Sequence, residues 1–441
     1  MIHRLLRICG FLASILFGAV FLLGALAGVL LRVAAQSSMR SPSPIRGKDE
    51  EDLRRAEKRR TFMNGAKRGA VFAVVGMLVA GLLGGFLVAL SGLIPIAASS
   101  GHWPITEWFL QFAMQRSIST HSLGIEVPPL DDSDLILKGA THYEIGCRPC
   151  HGSPGLPLPR IPHHMAPPPP DLAERIREAK PPELFYVVKH GVKFTGMPAW
   201  PAIQRDDEVW AVVAFLRKLT HLDQTGYRRL VDGDSPATPP IYTMGGLPAV
   251  PPTVALSCTR CHGADGIGRG TGAFPKLAGQ RKPYLENALR AYSHGARHSG
   301  IMEPISGGLS EEAIREVARY YAATVAADPA PSNVTDEVAI ERGRLIAQHG
   351  IPAQRVPSCI DCHAPEGERY NANYPALEAQ HADYLLLQLE LFNKSHRGGS
   401  AYAHIMEPIA KRLKPQQMRD VALYFQSLRP RHRAQTRERE N

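Results

Sequence analysis

The chain has 441 residues, enough for two to four domains. Its seven cysteines do not make a disulfide framework, because six fall into three identical spacings and one is left over. The net charge of +10 would suit a nucleic-acid binder, but its location argues against one. Residues 1–68 hold 13 Lys/Arg against 5 Asp/Glu, and residues 429–441 hold 5 against 2, so the stretch between is close to neutral and offers no basic face.

Residues 8–31 are uncharged and almost wholly apolar, long enough to span a bilayer. Cys9 lies in this run and reads as a small hydrophobe. A basic segment follows, with Arg54, Arg55, Lys58, Arg59, Arg60, Lys67 and Arg68, and closes an N-terminal region of residues 1–68. Residues 69–98 form a second apolar stretch and are expected to cross a membrane as a helix, with Trp103 and Trp108 just beyond it at the level of an interfacial aromatic belt. Residues 99–130 read as a stalk.

Three domains follow, at 131–222, 254–327 and 336–429, joined by linkers at 223–253 and 328–335 and trailed by a charged tail at 430–441. The first opens with a helix over Leu135–Ile145 that carries Gly139 and Tyr143. Each domain closes on an amphipathic helix. The apolar positions are Val209, Val212, Val213 and Leu216 in the first, Ile314, Val317, Ala318 and Tyr321 in the second, and Met418, Val421, Ala422 and Phe425 in the third, all at i, i+3, i+4, i+7. In the first, acids in the opening turn and Arg217 and Lys218 in the last match the helix dipole. Domains two and three are an internal repeat. Phe274-Pro275-Lys276-Leu277 answers Tyr374-Pro375-Ala376-Leu377 at a shift of 100, and Ile301-Met302-Glu303-Pro304-Ile305 answers Ile405-Met406-Glu407-Pro408-Ile409.

Each domain contains one C-x-x-C-H motif: Cys147, Cys150 and His151; Cys258, Cys261 and His262; Cys359, Cys362 and His363. This is the attachment signature of c-type haem. Two thiols reach the two vinyl groups of one porphyrin, and the adjacent imidazole reaches its iron. Three copies imply three covalent haems. A second axial ligand is expected on the opposite face. Met197, Met302 and Met406 lie 46, 40 and 43 residues after the motif histidines, and each precedes Pro or Glu-Pro, which should leave a loop able to aim a thioether at iron. His298 and His404 are the rival ligands. His163, His164 and His190 read as ordinary loop or surface residues. Structural zinc needs four ligands, usually from two paired C-x-x-C units, and three units each with a trailing His in its own domain do not pair.

With these parts in order, each domain resembles a class I cytochrome c. Domains two and three are similar to the two-haem periplasmic cytochromes c, on Cys258-Thr259-Arg260-Cys261-His262-Gly263-Ala264-Asp265-Gly266, Leu277-Ala278-Gly279-Gln280 and the Met302 segment. The three-haem layout resembles the cytochrome subunits of membrane-bound alcohol and gluconate dehydrogenases. One departure stands out: Pro248–Ser257 is too proline-rich for the usual leading helix, so domain two either lacks it or borrows cover from a neighbour.

The expected fold is all-α, three tandem class I cytochrome c domains behind one or two transmembrane helices. Haem of this type is attached outside the bacterial cytoplasm, so the domains are expected in the periplasm and the basic segment in the cytoplasm, across the inner membrane. The first apolar run is then a second span, a cleaved signal peptide ending at Ala34-Ala35, or absent because translation starts at Met39 or Met63. The expected function is electron transfer in a respiratory chain. The donor would be a dehydrogenase or a quinol-oxidising complex, and the acceptor a terminal oxidase or a soluble cytochrome. The alternatives are a haem peroxidase or reductase with an open sixth position at one iron, and a structural membrane adaptor that leaves the haems unexplained.

Overall fold

The computed structural model describes residues 50–156, 158–233, 250–325, 336–363 and 371–429. The apolar run at 8–31 with Cys9, the linker at 328–335 and the tail at 430–441 lie outside the described residues. The chain divides at Ser100 into two units.

In the first unit a helix runs over Glu50–Leu90. Its Arg54–Leu90 portion is long and apolar enough to cross a membrane, with its apolar side chains exposed along the length. The 22 residues from Gly69 to Leu90 rise about 33 Å, close to the thickness of a hydrocarbon core. Two details differ from the sequence reading. The basic residues 54–68 belong to this helix rather than to a loop, in keeping with their Arg, Lys, Glu and Ala content. The helix also stops at Leu90, short of 98. The Ser91 hydroxyl bonds the Val88 carbonyl at 2.6 Å and Gly92 takes φ 67°, which turns the chain out.

The second unit is helical, and its described residues contain no strand. The segment read as a stalk contains a helix, Pro104–His121. Its end docks on the domain-one helix Pro181–His190, where Ser119 donates to Glu183 at 3.1 Å and His121 stacks on Tyr186.

Domain one is built on a crossing of two helices, Ser133–His142 and Asp206–Leu219. Asp132 caps the first by accepting from the Leu135 N–H at 2.7 Å. At the crossing, a Cβ on Gly139 would fall 2.0 Å from the Ala211 carbonyl oxygen, so only glycine lets the backbones approach this closely. The leading helix widens into a π-type turn over Tyr143–Cys147 before the motif. The segment read as a linker from 223 begins with a further helix, Gln224–Asp232, which buries Tyr227 and Val231 in the domain-one core. Its apolar residues Tyr227, Leu230 and Val231 follow helical spacing, a signal obscured by the Pro- and Gly-rich run after it.

Domain three repeats the crossing, with Glu337–His349 against Pro415–Ser427. A Cβ on Gly343 would lie 2.0 Å from the Asp420 carbonyl oxygen. Domain two has only a six-residue leading helix, Pro252–Ser257, whose Val254 and Ala255 pack on Val317, Ala318 and Tyr321 of the closing helix Glu311–Ala323. The missing length is supplied by domain one. Leu137 of its leading helix packs on Cys261, Ala273 and Phe274, and Asp134 accepts from the Thr271 backbone N–H at 3.0 Å and its hydroxyl at 2.7 Å. Both halves of the departure noted at Pro248–Ser257 therefore occur: the helix is shortened, and a neighbour covers the site.

Candidate haem sites

Each motif folds as one short helical turn, Arg148–His151, Thr259–His262 and Ile360–His363. The next residue in the first two is glycine in the left-handed region, Gly152 at φ 70° and Gly263 at φ 72°, which releases the chain sharply from the turn. A tyrosine hydroxyl holds each of these glycine carbonyls at 2.9 Å: Tyr143 on Gly152 and Tyr321 on Gly263.

The three motif histidines share one arrangement. Nδ1 of His151 lies 3.0 Å from the Pro170 carbonyl oxygen, that of His262 3.1 Å from Pro275, and that of His363 2.9 Å from Pro375. A carbonyl can only accept, so Nδ1 must donate. The proton is thus fixed on Nδ1, which leaves the Nε2 lone pair for a metal. Burial favours this neutral form: it lowers His262 below the ordinary imidazole range and, with Arg281 and Arg397 nearby, lowers His363 to about 4. The sequence reading missed the three prolines. The available signal was the repeated aromatic-Pro pair, Phe274-Pro275 and Tyr374-Pro375, whose aromatic rings lie 6.2 Å from the His262 and His363 rings.

Four of the motif cysteines sit where a neutral sulfur is favoured over a thiolate. Burial pushes the thiols of Cys147 and Cys258 up to about 12 and those of Cys261 and Cys359 up to about 11. A zinc site needs the thiolate that this environment disfavours, whereas a thioether carries no charge to bury.

The candidate sixth ligands are half-buried, and their rivals His298 and His404 are exposed. Met197 lies in a loop closed on Gly191: its carbonyl accepts from the Val192 N–H at 3.1 Å, and its N–H donates to the Thr195 hydroxyl oxygen at 3.1 Å. Met302 and Met406 are helical, which corrects the expectation of a loop. Met302 opens the helix Met302–Gly307, and Met406 sits in Ala403–Ala410. Pro304 is in a first turn, where its missing N–H costs nothing, and Pro408 is accommodated inside its short helix. His298 lies 3.6 Å from Glu303, facing a carboxylate. His163, His164 and His190 are exposed, as expected.

Domains two and three meet through a reciprocal pair of glutamines. Gln280 donates to the Ala376 carbonyl at 3.0 Å and accepts its N–H at 2.8 Å; Gln380 does the same to Lys276 at 3.0 and 2.9 Å. Lys276 and Ala376 directly follow Pro275 and Pro375, so each glutamine grips the strap that orients the other domain's histidine. Arg297 donates to Tyr384 at 3.2 Å and Gln388 at 3.1 Å, and Arg397 donates to Tyr284 at 3.2 Å. Burial would raise the Tyr284 hydroxyl, but Arg297 and Arg397 outweigh it and hold it at about 8. Among the described residues neither guanidinium pairs with a carboxylate, although Arg297 is only 5% exposed. A buried cation needs a counter-charge, and the carboxylates of a haem are of the right kind. Donor tautomer, thiol environment and a buried guanidinium without a carboxylate thus all fit covalent haem.

Comparisons with known proteins agree. Residues 134–216 match the family model described as cytochrome C oxidase, cbb3-type, subunit III. Residues 253–322 and 341–429 match that described as cytochrome c. The chain is 36% identical over 189 residues to a thiosulfate dehydrogenase electron acceptor of Stutzerimonas stutzeri (strain A1501), covering 42% of this chain and 83% of that protein. It is 31% identical over 175 residues to cytochrome c4 of Pseudomonas aeruginosa, covering 40% and 85%. Among solved structures, reduced recombinant cytochrome c4 from Pseudomonas stutzeri is 30% identical, covers 40% of this chain and 94% of that one, and superposes with a TM-score of 0.36.

Proposed function

The chain belongs to the class I c-type cytochromes, and from that premise we propose that it is a membrane-anchored carrier with three covalent haems, one in each domain. That it transfers electrons rather than catalysing a reaction follows from its relatives, which are electron-transfer cytochromes. Haem c, when bound, supplies an iron that cycles between two oxidation states. The chain's own residues hold it: Cys147, Cys150 and His151; Cys258, Cys261 and His262; Cys359, Cys362 and His363. Met197, Met302 and Met406 are assigned as the opposite ligands, a pairing that raises the potential relative to two histidines. The observation that carries this reading is the thrice-repeated bond from a motif imidazole to a proline carbonyl. A pyridine haemochrome assay should give three haems per chain, and a clearly lower count refutes the assignment.

In this reading the helix Glu50–Leu90 anchors the chain in the inner membrane and the haem domains lie in the periplasm. Protease added to intact spheroplasts should digest residues 131–429, and their survival would overturn the topology. The donor is a dehydrogenase or a quinol-oxidising complex. A dehydrogenase is supported by the relatives named as electron acceptors of thiosulfate dehydrogenase. The acceptor is a terminal oxidase or a soluble cytochrome, and the likeness of domain one to an oxidase subunit supports the former.

A further inference from the structure

Glu208 sits with Asp206 and Asp207 in the first turn of the domain-one closing helix, where acids match the helix dipole and are ordinarily exposed. It is instead 3% exposed. Its two oxygens collect four donors from two domains. From domain one, the Trp200 indole N–H donates to Oε2 at 3.1 Å and the Arg205 guanidinium lies 3.0 Å from Oε1. From domain two, the Ser299 hydroxyl donates to Oε1 at 2.6 Å and the Gly300 backbone N–H to Oε2 at 2.7 Å.

Both sets of partners belong to segments that carry a candidate iron ligand. Trp200 follows Met197 by three residues, and its backbone N–H donates to the Lys189 carbonyl at 2.9 Å, so the Met197 loop is tied at both ends. Ser299 and Gly300 lie three and two residues before Met302. The Ser299 hydroxyl oxygen, while donating to Glu208, also accepts the Met302 N–H at 3.0 Å. Arg205 adds a bond to the His298 carbonyl at 2.8 Å. Space is as tight as the bonding: a Cβ on Gly300 would lie 2.1 Å from the Trp200 indole nitrogen. Ile301 packs into the domain-one core.

We propose that Glu208 is a positioning residue shared by two haem sites, one carboxylate that sets the Met197 and Met302 segments together and so couples sixth-ligand strength at the first and second irons. This rests on Met197 and Met302 being those ligands. A side chain buried in a junction and bonded to four donors is costly to leave half-satisfied, so loosening one segment loosens the other. Met406 has no bond to this junction, which makes the third site an internal reference.

The test uses the full-length, haem-loaded protein in detergent, fully reduced. Iron-bound methionine methyls give strongly upfield-shifted proton resonances, and Met197→Ala, Met302→Ala and Met406→Ala assign the three. Glu208→Gln, which keeps shape but loses one acceptor oxygen, should shift or broaden the Met197 and Met302 signals and leave that of Met406 unchanged. Carbon monoxide uptake should rise from near none toward two haems per chain. Ser299→Ala, made in domain two, should shift the Met197 signal as well as that of Met302, and Trp200→Phe, made in domain one, should shift that of Met302 as well as that of Met197, with Met406 unchanged. These milder changes keep the test decisive if Glu208→Gln folds poorly, and effects confined to the altered segment overturn the proposal. The proposal is overturned if Glu208→Gln leaves both signals in place, moves only one, or moves all three alike. If Met197→Ala or Met302→Ala removes no resonance, the ligand assignment itself has failed and the proposal falls with it.

Discussion

Replacing Gln280 with alanine tests how firmly the second and third haem sites are fixed to one another. The side chain makes two cross-domain bonds, to the carbonyl and N–H of Ala376, and Gln380 makes two more to Lys276. A net hydrogen bond is worth about 1 kcal/mol, so each glutamine contributes about 2 kcal/mol and the pair about 4. All four backbone groups belong to half-buried residues, where water can take over part of the bonding, so these are upper figures. A loss of about 2 kcal/mol raises the fraction of molecules with the two domains apart by about thirtyfold. Gln280→Ala, Gln380→Ala and the double variant should be unfolded in denaturant, with hydrogen exchange followed separately at the amides of the domain-two helix Lys282–Ser293 and the domain-three helix Ala382–Asn393. The parent should unfold domains two and three together, and the double variant should separate the two transitions. The single losses should not add, because once one glutamine is gone the other holds a looser interface. If each single change costs under about 0.5 kcal/mol and the transitions stay merged, the glutamine pair does not hold the domains.

Gly139→Ala and Gly343→Ala should each destabilise their domain by about 1–3 kcal/mol in denaturant melts, since the added methyl meets a carbonyl 2.0 Å away at each crossing. His142 gives a pH prediction: burial lowers it to about 4, so it stays neutral when folded while the unfolded chain protonates below about 6.5. Its contribution is fully present above pH 6.5 and lost as pH falls toward 4, by about 3 kcal/mol at most, and melts of His142→Phe should lose that part of the acid sensitivity. Asp134→Ala should weaken the cover that domain one gives domain two, seen as faster hydrogen exchange at Thr271, with the amides of 382–393 unchanged.

Much of this was legible because haem attachment is written locally. Two cysteines and a histidine in five residues need no tertiary knowledge, and the closing helices announce themselves by period. The repeat shift of 100 placed Phe274-Pro275 and Tyr374-Pro375 in register, a signal that the pair is shared, but a backbone acceptor has no residue signature to say that the carbonyl is what binds histidine. Glu208 was hidden for a different reason. An acid in a first helical turn normally serves the dipole in water, and only the approach of another domain's Ser299 and Gly300 changes its environment. The helicity of Met302 and Met406 was hidden by the weight placed on the following prolines.

The three domains are not equivalent copies, and the middle one depends on both neighbours. It has a six-residue leading helix where the first has ten residues and the third thirteen. What it lacks is replaced on one side by Leu137 and Asp134, with the Thr141 hydroxyl against the Cys261 thiol, and its Met302 segment is held by Glu208. On the other side its histidine strap is gripped by Gln380. A domain that cannot complete its own walls cannot change its position freely against either partner, so the order of the haem sites is built into the packing rather than left to linkers. The same dependence places the second site between the other two, with Cys261 against the helix that leads to Cys147 and Pro275 one residue from the contact with domain three.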